Sequence, residues 1–303
     1  MDVTRVIRSG RQRRAAGCAA VLALAMGFAV AGCTPPAALG AGPESQPAAP
    51  VPAVTTAPPT AAVTSPAPTV TAPTPTPTAT PAPDPKPLAG RTIVVDPGHN
   101  GKYRKSFNTK KVPAGNGRKK ACNSSGTAGK GLSEHAYNWA QAKLLKVELE
   151  QRGAKVVLTR KNDSGLGPCV NKRAKVANDA KADLLISIHA DGSYAKRARG
   201  FHVIVSTTMA GGSKLEKKSR KLAELVRAEL DDTAMPRSTY IGGGAALSPR
   251  SDIATLNLLN RTPGIMLEVG NMRHSKDLKL LKSKTFRQQV AVALADAAER
   301  TLG

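Results

Sequence analysis

Hydrophobic residues follow two alternating patterns along residues 88–303. Short continuous apolar runs rich in Val, Ile and Leu are typical of strands buried on both faces of a sheet; they occupy 91–96, 154–159, 182–188, 201–206 and 264–269. Stretches with apolar residues three and four positions apart predict helices; they occupy 134–153, 170–180, 213–230, 251–259 and 285–302. This alternation predicts a single α/β domain with a mostly parallel, twisted sheet of about six strands and helices on both faces.

Residues 101–131 interrupt this alternation. They are rich in Lys, Gly, Asn and Ser and show little periodicity, so we expect a long loop between the first strand and the first helix. Long loops in compact domains are often functional. Ser133, directly before that helix, is a predicted N-cap.

Residues 1–32 have the pattern of an export signal. Five arginines between Arg5 and Arg14 precede a short apolar run that ends at Val30, and small residues follow. The run is shorter than the roughly 20 residues that a bilayer-spanning helix needs. Residues 30–33 (VAGC) resemble a bacterial lipobox, which implies that Cys33 is lipidated and that the mature chain begins there. The alternative is an ordinary signal peptide in which Cys33 has no such role.

Residues 33–87 are predicted to be a disordered tether. This Ala/Pro/Thr-rich stretch contains 17 of the 23 prolines and few aromatic or branched apolar side chains. It cannot bury enough apolar surface to offset the entropy of ordering the chain. Residues 88–303 are therefore the predicted globular domain.

The predicted domain is strongly basic. The whole chain has a net charge of +24, and residues 88–303 carry 39 Lys and Arg against 18 acidic residues, a net charge of +21. Such a surface suits nucleic acid, an anionic envelope polymer or a membrane surface, or it only keeps the domain soluble. The export signal favours the envelope. Four Phe, four Tyr and one Trp also leave few stacking platforms for nucleic acid, so we expect no nucleic-acid partner.

Two cysteines remain once the predicted signal is removed and Cys33 carries a lipid. Cys122 and Cys169 are then the remaining thiols of an exported domain. An even remainder in an oxidising compartment predicts one disulfide, Cys122–Cys169. The alternative is that one of them binds a metal ion.

Three candidate metal ligands lie at the ends of predicted elements. His99 follows the first strand, Glu134 opens the first helix and His189 ends a central strand. In open α/β sheets, sites form outside the carboxyl ends of the strands. Two His and one carboxylate suit zinc and leave a fourth position open, as in catalytic sites. On spacing alone, however, His99 could be a turn residue, His189 a core residue and Glu134 an acid favoured by the helix dipole.

Four motifs, taken in order, resemble the zinc-dependent N-acetylmuramoyl-L-alanine amidases of the amidase_3 group. The order and spacing of these motifs agree with the family across residues 91–303, and the resemblance implies a phosphorylase/hydrolase-like fold. The motifs are residues 94–99 (VVDPGH), Glu134 with the helix ending at Arg152-Gly153, residues 187–191 (SIHAD), and the C-terminal block formed by 250–252 (RSD), Leu256, Leu259 and 262–270 (TPGIMLEVG).

The resemblance implies a role for each matching residue. His99, Glu134 and His189 match the ligands of one zinc ion, and Glu268 matches the catalytic acid/base. The implied reaction is hydrolysis of the amide between the lactyl group of N-acetylmuramic acid and L-Ala of the stem peptide in peptidoglycan. An alternative role for Glu268 is a buried carboxylate paired with Arg250.

The sequence also departs from the family. Asn271 stands where an aromatic residue is common, and residues 101–131 are longer and more basic than the usual connection. We expect this basic segment, defined by Lys102, Arg104, Lys105, Lys110, Lys111, Arg118, Lys119 and Lys120, to border the cleft and bind anionic substrate or wall polymer, or else to be only solvated. Arg250, Asn271 and His274 are weaker candidates for substrate contacts.

The sequence thus predicts an exported, monomeric lipoprotein amidase that acts on peptidoglycan at the outer face of the cytoplasmic membrane, in the periplasm or in the cell wall. Its predicted partners are muramyl peptides, and it meets the membrane through its lipid anchor only. The alternative is an inactive wall-binding lipoprotein on the same fold. The presence of all three predicted zinc ligands and of the predicted acid/base Glu268 argues against that alternative.

Overall fold

The computed structural model describes residues 86–303, and its main elements follow the hydrophobic pattern. These residues form ten strands: β1 (Thr92–Pro97), β2 (Lys111–Pro113), β3 (Lys119–Ala121), β4 (Ala128–Gly129), β5 (Leu132–Ser133), β6 (Lys155–Leu158), β7 (Leu184–Asp191), β8 (His202–Ser206), β9 (Leu247–Arg250) and β10 (Gly264–Asn271). They also form seven α-helices: α1 (Lys105–Asn108), α2 (Glu134–Gln151), α3 (Val170–Asp179), α4 (Gly212–Asp231), α5 (Ala254–Asn257), α6 (Ser275–Lys282) and α7 (Lys284–Leu302).

Six of the strands form the central sheet in the order β6-β1-β7-β10-β8-β9. All neighbouring pairs are parallel except β10 and β8, which are antiparallel. Parallel strands need crossover connections, which the helices supply. The predicted six-stranded, mostly parallel α/β fold is confirmed.

Both faces of the sheet are buried, because successive side chains of a strand point to opposite faces. Ile93 and Val95 belong to a large core beneath α2, α4 and α7, whereas Val94 belongs to a smaller core beneath α3 and α5. This explains why the strands are apolar at nearly every position. It also confirms the prediction of helices on both faces.

Several local predictions are wrong. The segment 101–131 is not a plain loop, because it contains α1 and an antiparallel β2–β3 hairpin. The helix predicted at 251–259 is only the single turn of α5. Neither β9 nor α6 was predicted. Strand β9 lies at the sheet edge and includes Pro249, so it lacks the apolar run of a central strand.

The predicted signal peptide, Cys33 and all but the last two residues of the tether lie outside the described residues. Among residues 86–303, no helix combines the length and the apolar character that crossing a bilayer requires.

Candidate metal centre and active site

The candidate site lies at the carboxyl ends of adjacent parallel strands. Strands β1, β7 and β10 are neighbours in the sheet. His99 follows β1, His189 lies near the end of β7, and Glu268 of β10 stands opposite His189 in the strand register. Glu134 is the first residue of α2. The topology therefore brings together four residues that are far apart in the sequence.

Three of these side chains direct their ligand atoms to one point. Glu134 Oε1 lies 2.9 Å from His99 Nε2 and 2.9 Å from His189 Nδ1. The two ring nitrogens are 3.2 Å apart. Imidazole nitrogens and carboxylate oxygens are zinc ligands, and three of them leave a position open. The donor set therefore fits a catalytic zinc ion, because a shared cation satisfies electron pairs that converge so closely.

Two glycines make room for this convergence. A Cβ at Gly98 would lie 2.2 Å from the His189 ring, and a Cβ at Gly126 would lie 2.8 Å from Glu134 Oε2. Any larger residue at either position would displace a ligand. His99 itself has a φ of 59°, a left-handed conformation that costs energy for a residue with a side chain.

Contacts outside the ligand set orient the ligands. The Nδ1 atom of His99 lies 3.1 Å from the Ser124 carbonyl oxygen, so Nδ1 carries the hydrogen and Nε2 presents its lone pair. The Thr127 amide donates to Glu134 Oε2 over 2.8 Å. Burial would raise the pKa of Glu134, but the contacts of its carboxylate with the His189 and His99 rings lower that pKa below its usual range. The glutamate is thus held as a carboxylate.

A buried ion pair supports the loop that carries His99. Arg173 Nη1 lies 2.5 Å from Asp96 Oδ1, and both side chains are at most 2% exposed. Arg173 also donates to the carbonyl oxygens of Pro97 and His99. Burial would raise the pKa of Asp96, but Arg173 and the Thr159 and Ser187 hydroxyls lower it. Arg173 therefore joins the end of β1 to α3 and restrains the His99 backbone.

Glu268 lies in the same cleft as the three ligands. Its Oε2 atom is buried and has no hydrogen-bond partner among the described residues. Burial raises the pKa of Glu268 well above its usual value, the carboxylates of Glu134 and Asp191 raise it further, and Arg250 opposes them. A carboxyl group whose pKa is raised in this way is a candidate for proton exchange.

The alternative pairing of Glu268 with Arg250 is wrong. Arg250 instead forms a bidentate pair with Asp252, at 2.8 Å from Nε and 2.6 Å from Nη2. Arg250 still lines the cleft, and its contact with substrate stays a prediction. Lys120 of the basic segment also lines it and donates to the Asp252 carbonyl oxygen over 2.8 Å.

The cleft has a volume of about 400 Å³. Some of the residues that line it, among them Arg173 and Asp191, had no role assigned from the sequence. Asp191 lies two residues beyond His189 and accepts a 2.6 Å hydrogen bond from the Tyr240 hydroxyl. An acid two positions after His189, at the last residue of the same strand, is a signal that could have identified Asp191. No sequence pattern marks Arg173, which contacts the site only through the fold.

Asn271 and His274 do not line this cleft. Asn271 is 1% exposed, and its side-chain amide donates to the carbonyl oxygens of Ser193 and Ala198. His274 is the N-cap residue of α6 and lines a separate recess. Their predicted contacts with substrate therefore have no support from the cleft geometry.

The other two histidines also have structural surroundings. The His135 ring contacts Asp163 at 2.9 Å. His202 stands opposite Glu268 on β8 and packs edge-on against Tyr240. Burial lowers the pKa of His202 to about 4, so this ring is neutral beside the site at physiological pH.

The predicted disulfide Cys122–Cys169 is confirmed, with an S–S distance of 2.06 Å. It connects the end of the β2–β3 hairpin to Cys169, the N-cap residue of α3. The cysteines are 47 positions apart, and in the chain-entropy description a loop of this size gives about 3–4 kcal/mol of stabilisation. The disulfide thus attaches the hairpin to the helix that carries Arg173.

Comparison with known proteins places this fold and site in one enzyme class. The family profile Amidase_3, N-acetylmuramoyl-L-alanine amidase, matches residues 93–300. N-acetylmuramoyl-L-alanine amidase Rv3717 of Mycobacterium tuberculosis is 38% identical over 211 residues, which cover 69% of this chain and 86% of that protein. The chain belongs to the Amidase_3 family of N-acetylmuramoyl-L-alanine amidases.

Two crystal structures have the same fold. Ami1 of Mycobacterium smegmatis, an N-acetylmuramyl-L-alanine amidase, is 38% identical with a TM-score of 0.67, over 71% of this chain and 98% of that one. The apo form of Ami1 from Mycobacterium abscessus is 36% identical with a TM-score of 0.67, over 71% of this chain and 100% of that one. The predicted family and enzyme class are confirmed, and an inactive wall-binding protein is not favoured.

Proposed function

We propose that this chain hydrolyses the amide between the lactyl group of N-acetylmuramic acid and L-Ala of the stem peptide, with zinc held by His99, Glu134 and His189. The convergence of the three ligand atoms in one cleft with the unpartnered Glu268 carboxyl group carries the proposal. A zinc ion bound there supplies polarisation of the amide carbonyl and activation of a water molecule.

Glu268 is the proposed general acid/base. Its carboxylate accepts a proton from the water that attacks the carbonyl carbon. The same proton then passes to the nitrogen of L-Ala as the carbon–nitrogen bond breaks. The products are the lactyl carboxylate on the glycan and a stem peptide with a free amino terminus. The raised pKa of Glu268 supports the first transfer, because it makes the carboxylate a stronger base toward the water.

Metal removal tests the reaction and the ligand set together. Digestion of purified peptidoglycan should release stem peptides that begin with L-Ala, a chelator should abolish the release, and added zinc should restore it. The variant His189→Ala should lose both zinc and activity, because three ligands are needed to hold the ion. Mass analysis of the products and metal analysis of the protein provide the readouts.

The matched control is His135→Ala, since His135 neighbours Glu134 on α2 but contacts Asp163. It should retain zinc. Release of stem peptides that is insensitive to chelation, or equal zinc contents in the two variants, would refute the assignment.

The basic segment is a proposed contact for anionic wall polymer or substrate. Of its eight cationic residues, all except Lys120 are exposed, and none of those exposed side chains forms an ion pair with another described residue. Lys120 extends the charge into the cleft. Unpaired cations attract polyanions in a way that salt screens.

Replacing Lys102, Arg104 and Lys105 with Gln should therefore weaken retention on purified cell walls at low salt and have little effect at high salt. A control variant with Gln at Lys217, Lys218 and Lys221 removes the same charge from α4. Co-sedimentation with the chelated protein, which leaves the walls undigested, measures both. If the two variants lose retention equally, net charge and not the basic segment explains the attraction.

Export and lipidation are also proposed, on the basis of the signal pattern and the location of peptidoglycan outside the cytoplasm. The Ala/Pro/Thr-rich tether would then separate the domain from its lipid anchor, with an extension of ~3.1 Å per residue where it is polyproline-like. Fatty-acid labelling in the source bacterium should mark the wild-type chain and not Cys33→Ser. A labelled Cys33→Ser chain, or an unlabelled wild type, would exclude Cys33 as the anchor.

A further inference from the structure

The most exposed large apolar side chain of residues 86–303 lies beside the cleft. Tyr194 is 82% exposed. It lies three positions beyond Asp191, where β7 ends. Both Asp191 and Gly192 line the cleft that contains Glu268. The Tyr194 ring is therefore presented at the border of the proposed active site, although the fold does not require it for packing.

One face of this ring is covered by a cation. The guanidinium carbon of Arg273 lies 3.9 Å from the Tyr194 ring centroid. Arg273 is itself held in place, because its Nε donates to the Gly192 carbonyl oxygen over 3.1 Å and its backbone amide donates to Asn271 Oδ1 over 3.0 Å. The planar guanidinium supports one ring face, and the high exposure of Tyr194 leaves the other face open to solvent.

Asn271 holds the loop that carries Tyr194. Its side-chain amide donates to the carbonyl oxygens of Ser193 over 3.0 Å and Ala198 over 2.7 Å. Its backbone amide donates to the buried carboxylate of Asp277 over 3.1 Å. The loop is thus attached on both sides of Tyr194 to the end of β10. A ring that is ordered before binding loses little entropy when a ligand covers it.

We propose that Tyr194, supported by Arg273, is a stacking platform for a sugar ring of the glycan strand that carries the scissile bond. This inference rests on the proposed function. The bond to be cut is attached to a glycan, so sugars must pass over the border of the cleft when the amide enters it. A tyrosine ring offers a large, rigid contact that is apolar on its face and polar at its edge, which suits the C–H face of a sugar.

The surroundings of Tyr194 also suit a sugar. A recess of about 430 Å³ adjoins the ring and is lined by polar side chains, including Ser193, Lys196, His274 and Ser275. These groups can bond hydroxyl and acetamido groups. Asn271 is a positioning residue in this arrangement, because its buried amide holds the loop that carries Tyr194.

Tyr194→Ala tests the platform in the full chain. The measured quantity is kcat/KM for intact glycan chains with stem peptides divided by kcat/KM for a muramyl peptide with a single sugar. This ratio should fall about tenfold, which corresponds to the upper range of free energy for an aromatic contact. Tyr194→Phe keeps the ring and should keep the wild-type ratio. Val147→Ala, at an exposed apolar position on α2, is the control for surface truncation. An unchanged ratio in Tyr194→Ala overturns the proposal.

Binding at low and high salt identifies the occupant. Full-length protein carrying Glu268→Gln is sedimented with purified peptidoglycan, with and without Tyr194→Ala. A loss of binding that persists at high salt indicates an uncharged sugar, as expected. A loss seen only at low salt indicates an anionic polymer and overturns the glycan assignment. Failure of the proposed function is distinguishable, because it would appear as chelator-insensitive turnover in a chain with the wild-type Tyr194.

Discussion

Replacing Glu268 with Gln should lower kcat on peptidoglycan by roughly 10²–10⁴-fold, the usual contribution of a positioned acid/base. The amide is nearly isosteric with the carboxyl group but cannot accept the proton of the attacking water. Zinc content should stay at the wild-type level, because Glu268 is not among the three converging ligands. Product release assayed at zinc saturation, together with metal analysis, measures the two effects separately.

The fold should survive this substitution. Glu268 Oε2 has no hydrogen-bond partner among the described residues, so no structural bond is lost there. Glu224→Gln, which removes an exposed carboxylate from α4, is the control and should retain full turnover. Turnover near the wild-type level in Glu268→Gln would exclude the proposed role.

Replacing Arg173 with Met should cost about 3–5 kcal/mol of unfolding free energy, because it leaves the carboxylate of Asp96 buried without its partner. The pKa of Asp96 should rise, since Arg173 is the main group that lowers it. The carbonyl oxygens of Pro97 and His99 also lose a donor. We therefore expect weaker zinc binding as well. Urea unfolding and a competitive zinc titration measure the two losses.

An exposed pair on the same helix provides the comparison. Lys175 and Asp179 form an i,i+4 pair on α3, with both side chains more than half exposed, and Lys175→Met should cost less than about 0.5 kcal/mol. The double variant Arg173→Met, Asp96→Asn should recover part of the loss, because it no longer buries an unpaired charge. A cost below about 1 kcal/mol for Arg173→Met alone would contradict a supporting role for the buried pair.

Most of the sheet could be predicted because its strands have local signals. The strands at β1, β7 and β10 are continuous apolar runs, and burial on both faces requires such runs. The long helix α4 carries a periodic apolar stripe, whereas the buried face of α2 also includes the polar Asn138 and Gln141. The hairpin β2–β3 and the edge strand β9 lack such signals, because each is at most four residues long and largely exposed. Their strand geometry depends on partners distant in sequence.

The site could be predicted in part. His99, Glu134 and His189 followed from their positions at the ends of predicted elements and from the family motifs, and the structure brings their ligand atoms together. Asn271 was expected to contact substrate, yet its buried amide holds a loop. No pattern in the sequence identified Tyr194 or Arg273 as functional residues. Whether a polar side chain faces the cleft or bonds to the protein's own backbone depends on the path of a single loop. Hydrophobic periodicity does not specify that path.

The sequence by itself thus determined the α/β class, the family, the three candidate ligands, the candidate acid/base and the one disulfide of the domain, because these depend on residue type, order and local pattern. Only the tertiary structure decided which oxygen of Glu134 meets both imidazoles, that Arg250 pairs with Asp252 and not with Glu268, and that Arg173 supports His99 from α3. Except for the local Arg250–Asp252 pair, those relations join residues tens of positions apart. They arise because parallel strands place their carboxyl ends side by side, which no local pattern specifies.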